Sequence, residues 1–301
     1  ESCAGGLALP AAHRVECDRV PLASATALVV QVVAYLGLAV ALGFLAWVGR
    51  HRRLKLVKAS QPEFLVLVCA FGAAFALSPL LLLGPRTVAR CALWPWAFHL
   101  GFCGWVGALW VKTYRVWRIF GNTHMRRVKF TRGKTLKLWA YVMAIPTVLV
   151  GIWFLVDPPV PYTETAAVDY PWVVEVARTR CGWSPTWGTA LAAYEAALAA
   201  LAGYFGFRNR KVGKMFSETR YLVFAVYAMA LLLGLSTLVA AQDVGLSLQV
   251  LLKSVGISLS SIVSLSTIFL PKIYFYWTVE DSDEALFGAS SNGTSGPTAV
   301  R

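Results

Sequence analysis

The side chains of this chain that could do chemistry are few, and most stand inside or at the ends of long uncharged stretches. Cys91 opens one such stretch, Ala92 to Val111, and Lys112 closes it, with Arg115 and Arg118 following at helical spacing. At ~1.5 Å rise per residue, the twenty-one steps from Cys91 to Lys112 cover roughly 31 Å, about one hydrocarbon thickness. One helix therefore sets a thiol at one membrane face and an ammonium at the other. The chemistry to expect is disulfide formation at the first end and ion pairing at the second. Cys181 precedes a later apolar stretch on the same side as Cys91. A bridge between them would pin the long intervening loop across the mouth of a bundle; the alternative, two unpaired thiols facing an oxidising compartment, is chemically less comfortable. Lys112 either snorkels to water or meets a carboxylate at its own depth. Glu218 supplies one at the foot of a later helix, with Arg220 as a competitor for it.

Three more ionisable residues lie within the spans: His99, Glu195 and, in a last span that begins at about Leu246, Lys253. Intramembrane charges are functional suspects, and together the three define a candidate intramembrane cavity opening outward, in which Glu195 and Lys253 are placed to pair. His99 alone reads as a packed residue of the bundle. A lysine in the last span also raises a retinal-type photoreceptor, but Ala92 to Val111 offers no carboxylate counter-ion. Cys69 and Cys103 fall inside spans as small hydrophobes, and Gly101, Gly104 and Gly107 read as close-packing sites. No HExxH, P-loop, paired intramembrane carboxylate or Ser/His/Asp set is present. The reading is accordingly no enzyme, no metal and no cofactor.

The elements that must position these residues follow from composition. Of 301 residues, 57% are hydrophobic and 14% charged, which a soluble domain would not arrange in repeated uncharged runs of this length. The runs are Leu22–Gly49, Phe64–Pro85, Ala92–Val111, Leu138–Val156, Tyr221–Gln242 and Ser254–Pro271; Gly182–Phe207 is a further one interrupted by Glu195. We read an all-α membrane protein with seven transmembrane helices. The net charge of +13 is not a nucleic-acid footprint, because its placement is topological. Arg50–Lys58, Lys112–Lys137 and Arg208–Arg220 carry 5, 9 and 5 Lys/Arg, whereas the opposite loops hold Arg86, Arg90, Arg178 and Arg180. The positive-inside rule puts the N-terminus outside and the C-terminus in the cytoplasm. The domain reading is a short outer stub at 1–21 with Cys3 and Cys17, a seven-span domain at 22–277 and a disordered cytoplasmic tail at 278–301. Without an initiator Met or a usual signal peptide, the sequence reads as a fragment or a processed form.

Four short motifs now agree in order and in side. KTYRVWRIF closes the third span, VKASQPEF opens the second, SETRYLVFAVY opens the sixth and FLPKIY closes the seventh. Over about Leu22 to Trp277 the chain resembles the transmembrane region of class C (metabotropic glutamate/GABA-B type) G-protein-coupled receptors. The third span and second inner loop look closest to the GABA-B-like branch. The rhodopsin-like class is disfavoured, since FLPKIY stands where that class has Asn-Pro-x-x-Tyr.

The resemblance implies that Lys112 and Glu218 form the family's inner ionic lock and that Cys91 and Cys181 form its loop disulfide. It implies homo- or heterodimerisation with another class C subunit in the plasma membrane and coupling of the inner surface to a heterotrimeric G protein. The G-protein-facing cations would be Arg53 and Lys58 in the first inner loop, Arg115, Arg118, Arg126 and Arg127 around the second, Lys211 and Lys214 in the third, and Lys272 at the end of span seven. Membrane lipid is the remaining expected partner, and nucleic acid is not one. Twenty-one residues cannot make the bilobed outer domain in which the family binds its agonist, and the tail lacks a sustained heptad. The alternatives are a non-signalling seven-span partner subunit and a small-solute transporter.

Overall fold

In the computed structural model of the chain, residues 16–18, 24–54, 57, 62–120, 132–169, 173–182, 184–209, 218–240 and 246–291 are described. They form helices α1 (Ala25–Arg50), α2 (Pro62–Leu77), α3 (Val88–Pro95), α4 (Gly101–Phe120), α5 (Arg132–Val156), α6 (Pro185–Arg208), α7 (Glu218–Ala240) and α8 (Leu246–Ser291). Strands β1 (Glu16–Asp18), β2 (Val160–Asp169) and β3 (Val173–Gly182) form a small sheet. A π-helical turn, Trp96–Leu100, joins α3 to α4, so the two make one span, the third. Five helices are individually long and apolar enough to cross a membrane. The third span is broken into pieces by its π turn, and the apolar heart of the sixth, Phe224–Leu235, is shorter among the described residues.

The spans close a ring. α1 packs on α2 and α8, α2 on α4 and α8, α6 on α7, and α7 on α8, while α4 lies against α2, α5 and α6 and grazes α7. The third span is innermost: every residue from Gly101 to Leu109 is buried, with no outward stripe. The outer helices are patterned the other way. α1 turns Ala27, Val30, Ala34, Gly37, Ala41 and Val48 inward at intervals of three, four or seven, and Leu28, Val32, Tyr35 and Leu36 outward. Small residues inside and bulky apolar ones outside suit a lipid solvent, where close helix approach supplies the attraction. Phe44 of α1 stacks on Phe269 of α8 at 4.7 Å between ring centroids.

Prolines mark where helices change character. Pro79 lacks the N–H that would bond the Phe75 carbonyl, and the Ser78 hydroxyl donates to that carbonyl instead, at 2.8 Å. The α-helix ends at Leu77 and a 3-10 turn, Ser78–Leu82, follows. Pro271, by contrast, does not end its helix: α8 runs through it to Ser291, over the acidic stretch that the sequence assigns to the tail.

The long outer loop is a β-hairpin, rich in β-branched residues, with β2 and β3 antiparallel from Val160↔Gly182 to Asp169↔Val173. β1 adds to β3 in parallel, Cys17 opposite Ala177. Cys3 lies outside the described residues. The base of the hairpin is tied where the Ser184 N–H donates to Asp157 Oδ2 at 2.8 Å, joining the end of α5 to the start of α6.

Candidate functional site

Polar side chains act on the central span at three heights. At the outer end, the Thr87 side chain caps α3 by accepting from Arg90 N–H. One turn on, Cys91 is bonded to Cys181 of β3, so the hairpin is covalently attached to the third span. The Arg90 guanidinium donates to the Leu83 carbonyl. Burial and the neighbouring charge of Arg90 both lower the pKa of Arg86.

At mid-height in the outer half, His99 sits in the π turn and its Nδ1 lies 2.7 Å from Oε1 of Glu195 on α6. Both side chains are nearly enclosed, at 8% and 12% exposed. Trp94, Phe98 and Trp153 surround the imidazole edge-on, with centroids 5.1 to 6.4 Å away. Thus Glu195 takes His99 as its partner, whereas Lys253 faces outward on α8. The sequence reading sets His99, Glu195 and Lys253 in one cavity with Glu195 placed to pair with Lys253, and the structure gives Glu195 the histidine. Depth alone leaves both candidates open, since His99 is eight residues in from Cys91 and Lys253 seven in from Leu246.

Around the middle of the span, Trp139 Nε1–H of α5 donates to the Gly104 carbonyl at 3.0 Å, and the Tyr194 hydroxyl of α6 to the Val142 carbonyl of α5 at 2.6 Å. Three central glycines let the neighbours come close, Gly101 and Gly104 on the side of α2 and Gly107 on the side of α5. A Cβ on Gly101 would stand 2.9 Å from the Phe75 backbone nitrogen, one on Gly104 would enter the Phe71 ring, and one on Gly107 would lie 3.1 Å from Val142 Cγ1.

At the inner end, Lys112 is half-buried beside Thr113, and Asn209, which caps α6, donates from Nδ2 to the Thr113 carbonyl at 2.7 Å. This contact was missed from sequence, although an Asn at a helix C-terminus is a capping signal. It fixes the inner ends of spans three and five at one level, and α7 begins nine residues later at Glu218, whose side chain lies outside the described ones. Arg53 and Arg118 are exposed and Arg115 is half-buried. Lys58, Arg126, Arg127, Lys211 and Lys214 lie outside the described residues.

Lys272 needs correction. Expected on the surface facing a G protein, it is only 5% exposed. The cause is the unbroken helix: Lys272 follows Ile268 and Phe269 by four and three residues, on the same buried face of α8. That face also carries hydroxyls unnoticed in the sequence despite their helical spacing. Ser258 and Ser261 donate to the Ala76 and Gly72 carbonyls of α2, and Ser264 to the Ala225 carbonyl of α7.

This arrangement contains an innermost third span, a loop disulfide at its outer end and cations at its inner end, with no group of three metal-ligating side chains among the described residues. Comparison with known proteins agrees with it. Residues 20–272 match the family described as the 7 transmembrane sweet-taste receptor of 3 GCPR. The γ-aminobutyric acid type B receptor subunit 2 of Caenorhabditis elegans is 26% identical over 86% of this chain and 32% of its own length. Metabotropic glutamate receptor 8 of Mus musculus is 26% identical over 88% of the chain and 31% of its own. Metabotropic glutamate receptor-like protein E of Dictyostelium discoideum is 23% identical over 71% and 26%. The chain thus spans about a quarter to a third of the length of these relatives. With its match covering all seven spans, the chain belongs to the class C, or family 3, seven-transmembrane G-protein-coupled receptors.

Proposed function

We propose that this chain is the transmembrane signalling module of a GABA-B-like class C receptor of the plasma membrane, working as a homo- or heterodimer and activating a heterotrimeric G protein. An outer signal reorients the spans, the contact between Lys112 and Glu218 opens, and the basic inner face receives the G protein. The observation that carries this reading is the inner end of the third span. Lys112 lies next to Thr113, the residue tied to Asn209, and nine residues on from Asn209 the sixth span starts with Glu218. This chain order supports a meeting of the lysine and the glutamate at the inner ends of the third and sixth spans. In a low-dielectric setting a paired lysine and carboxylate favour one arrangement of the two helices, and removing one partner leaves a costly lone charge. Arg53 and Arg118, exposed on that face, suit an acidic or anionic partner surface. A transporter gains no support, since no discontinuous repeat is seen among the described spans.

The test is nucleotide exchange on purified G proteins by the full receptor in lipid nanodiscs. Glu218→Ala is expected to raise basal exchange several-fold, and Lys112→Ala likewise. Exchange equal to wild type in both variants would refute the lock, and solute flux without exchange would refute the receptor reading.

A further inference from the structure

The His99–Glu195 pair is unused by the reading above, yet it is nearly enclosed and lies deep in the bundle. Desolvating a carboxylate there is unfavourable unless a close donor compensates, and His99 Nδ1 at 2.7 Å is that donor. Its presentation depends on the π turn, because the inserted residue re-aims the side chains of the outer half relative to α4. At the other end of the same two helices, Asn209 Nδ2–H holds the Thr113 carbonyl, also buried. Spans three and five are therefore fastened at two heights and pack along their length between them. The sixth span is fastened elsewhere, Ser264 of span seven donating to its Ala225 carbonyl at 3.1 Å, and it only grazes the third.

We propose that His99 and Glu195 are a positioning pair that clamps the third span to the fifth, so that the inner contact opens by movement of the sixth span and not of the third. The physical reason is a comparison of costs. Separating spans three and five breaks two enclosed hydrogen bonds in a medium that offers no replacement. Moving the sixth span away from the seventh breaks one, the Ser264 bond to the Ala225 carbonyl, and leaves both bonds of the clamp intact. The clamp itself stands on geometry; the statement of which helix moves rests on the Lys112–Glu218 reading.

Cys103, fully buried four residues inward of His99, is a native reporter of the clamp. In the full receptor with Cys69→Ser, alkylation of Cys103 by a membrane-permeant maleimide is expected to accelerate about tenfold or more in His99→Ala and in Glu195→Ala, as local opening grows. The exchanged pair His99→Glu with Glu195→His is expected to restore slow labelling, which a variant that merely lost packing would not do. Wild-type labelling rates in both single variants would overturn the clamp. The moving helix is tested in Glu218→Ala carrying Glu195→His, where zinc ion can bridge the two imidazoles and hold spans three and five together. Exchange that persists with zinc supports movement of the sixth span; exchange abolished by zinc, but not in the same protein with His99→Ala, overturns it. Should Glu218→Ala alone raise no exchange, the lock reading fails and with it the assignment of the moving helix, while the labelling rates still decide the clamp.

Discussion

Gly101→Ala is the sharpest probe of the packing that puts the third span at the centre. The added methyl would stand 2.9 Å from the Phe75 nitrogen, 3.0 Å from its Cα and 3.1 Å from its Cβ. An ordinary contact between such atoms is about 3.5–4 Å, so the overlap is roughly half an ångström on three atoms. Two of the three are backbone, which no rotamer change can move, and Phe75 is itself locked among Phe98, Phe102 and Trp105. Helices α2 and α4 must separate. Overpacking of this kind costs about 1–3 kcal/mol, which lowers the melting temperature by roughly 2–12 °C for a chain of this order of size. The assay is thermal unfolding of purified protein in detergent, with Gly151→Ala as the matched control, since a Cβ there meets nothing within 4 Å. The control should melt at or above wild type, because Ala is the better helix former. Equal melting of Gly101→Ala and Gly151→Ala would refute the argument that spans two and three touch backbone to backbone at this level.

Removing the loop disulfide by Cys181→Ser releases a closure spanning 90 residues. On the chain-entropy account this costs about 4–5 kcal/mol, read as a lowered unfolding temperature that reductant reproduces in the wild type. Asn209→Ala leaves the buried Thr113 carbonyl without its donor and should cost about 0.5–2 kcal/mol; unchanged melting would remove the inner fastening of spans three and five. The triple change of Ser258, Ser261 and Ser264 to Ala should cost roughly 2 kcal/mol, near 0.6 for each interhelical bond. Arg86→Gln removes a cation held in an unfavourable setting and should leave the melting temperature unchanged or raised; a clear fall would mean that its charge has a stabilising partner.

Much of this molecule was legible in one dimension, for reasons rooted in the solvent. Lipid gives no hydrogen bonds, so a spanning segment must be helical, and its length and lack of charge announce it. The basic stretches Arg50–Lys58 and Lys112–Lys137 orient the chain, because charge placement in short loops is itself the topological signal. Cys91 and Cys181 could be matched because both belong to the same face. Depth and side are one-dimensional properties, and wherever the chemistry depended on them alone the residues could be named.

What needed the tertiary structure was azimuth, the direction each helix presents at a given depth. Glu195 had a basic candidate in Lys253 and a silent one in His99, and only the rotation of α6 against the π turn selected the histidine. Lys272 appeared to end a helix, but α8 continues through Pro271, so the lysine falls on the inward face with Phe269. Asn209, Trp139 and Tyr194 bond backbone carbonyls of other spans, and a carbonyl has no letter of its own in the sequence. The amino-acid order by itself determined how many times this chain crosses the membrane, in which sense and with which charges at each face. Which span lies at the centre, and which side chains fasten it there, was decided by packing, because interhelical bonds depend on distances of a few ångströms that no spacing along a single helix encodes.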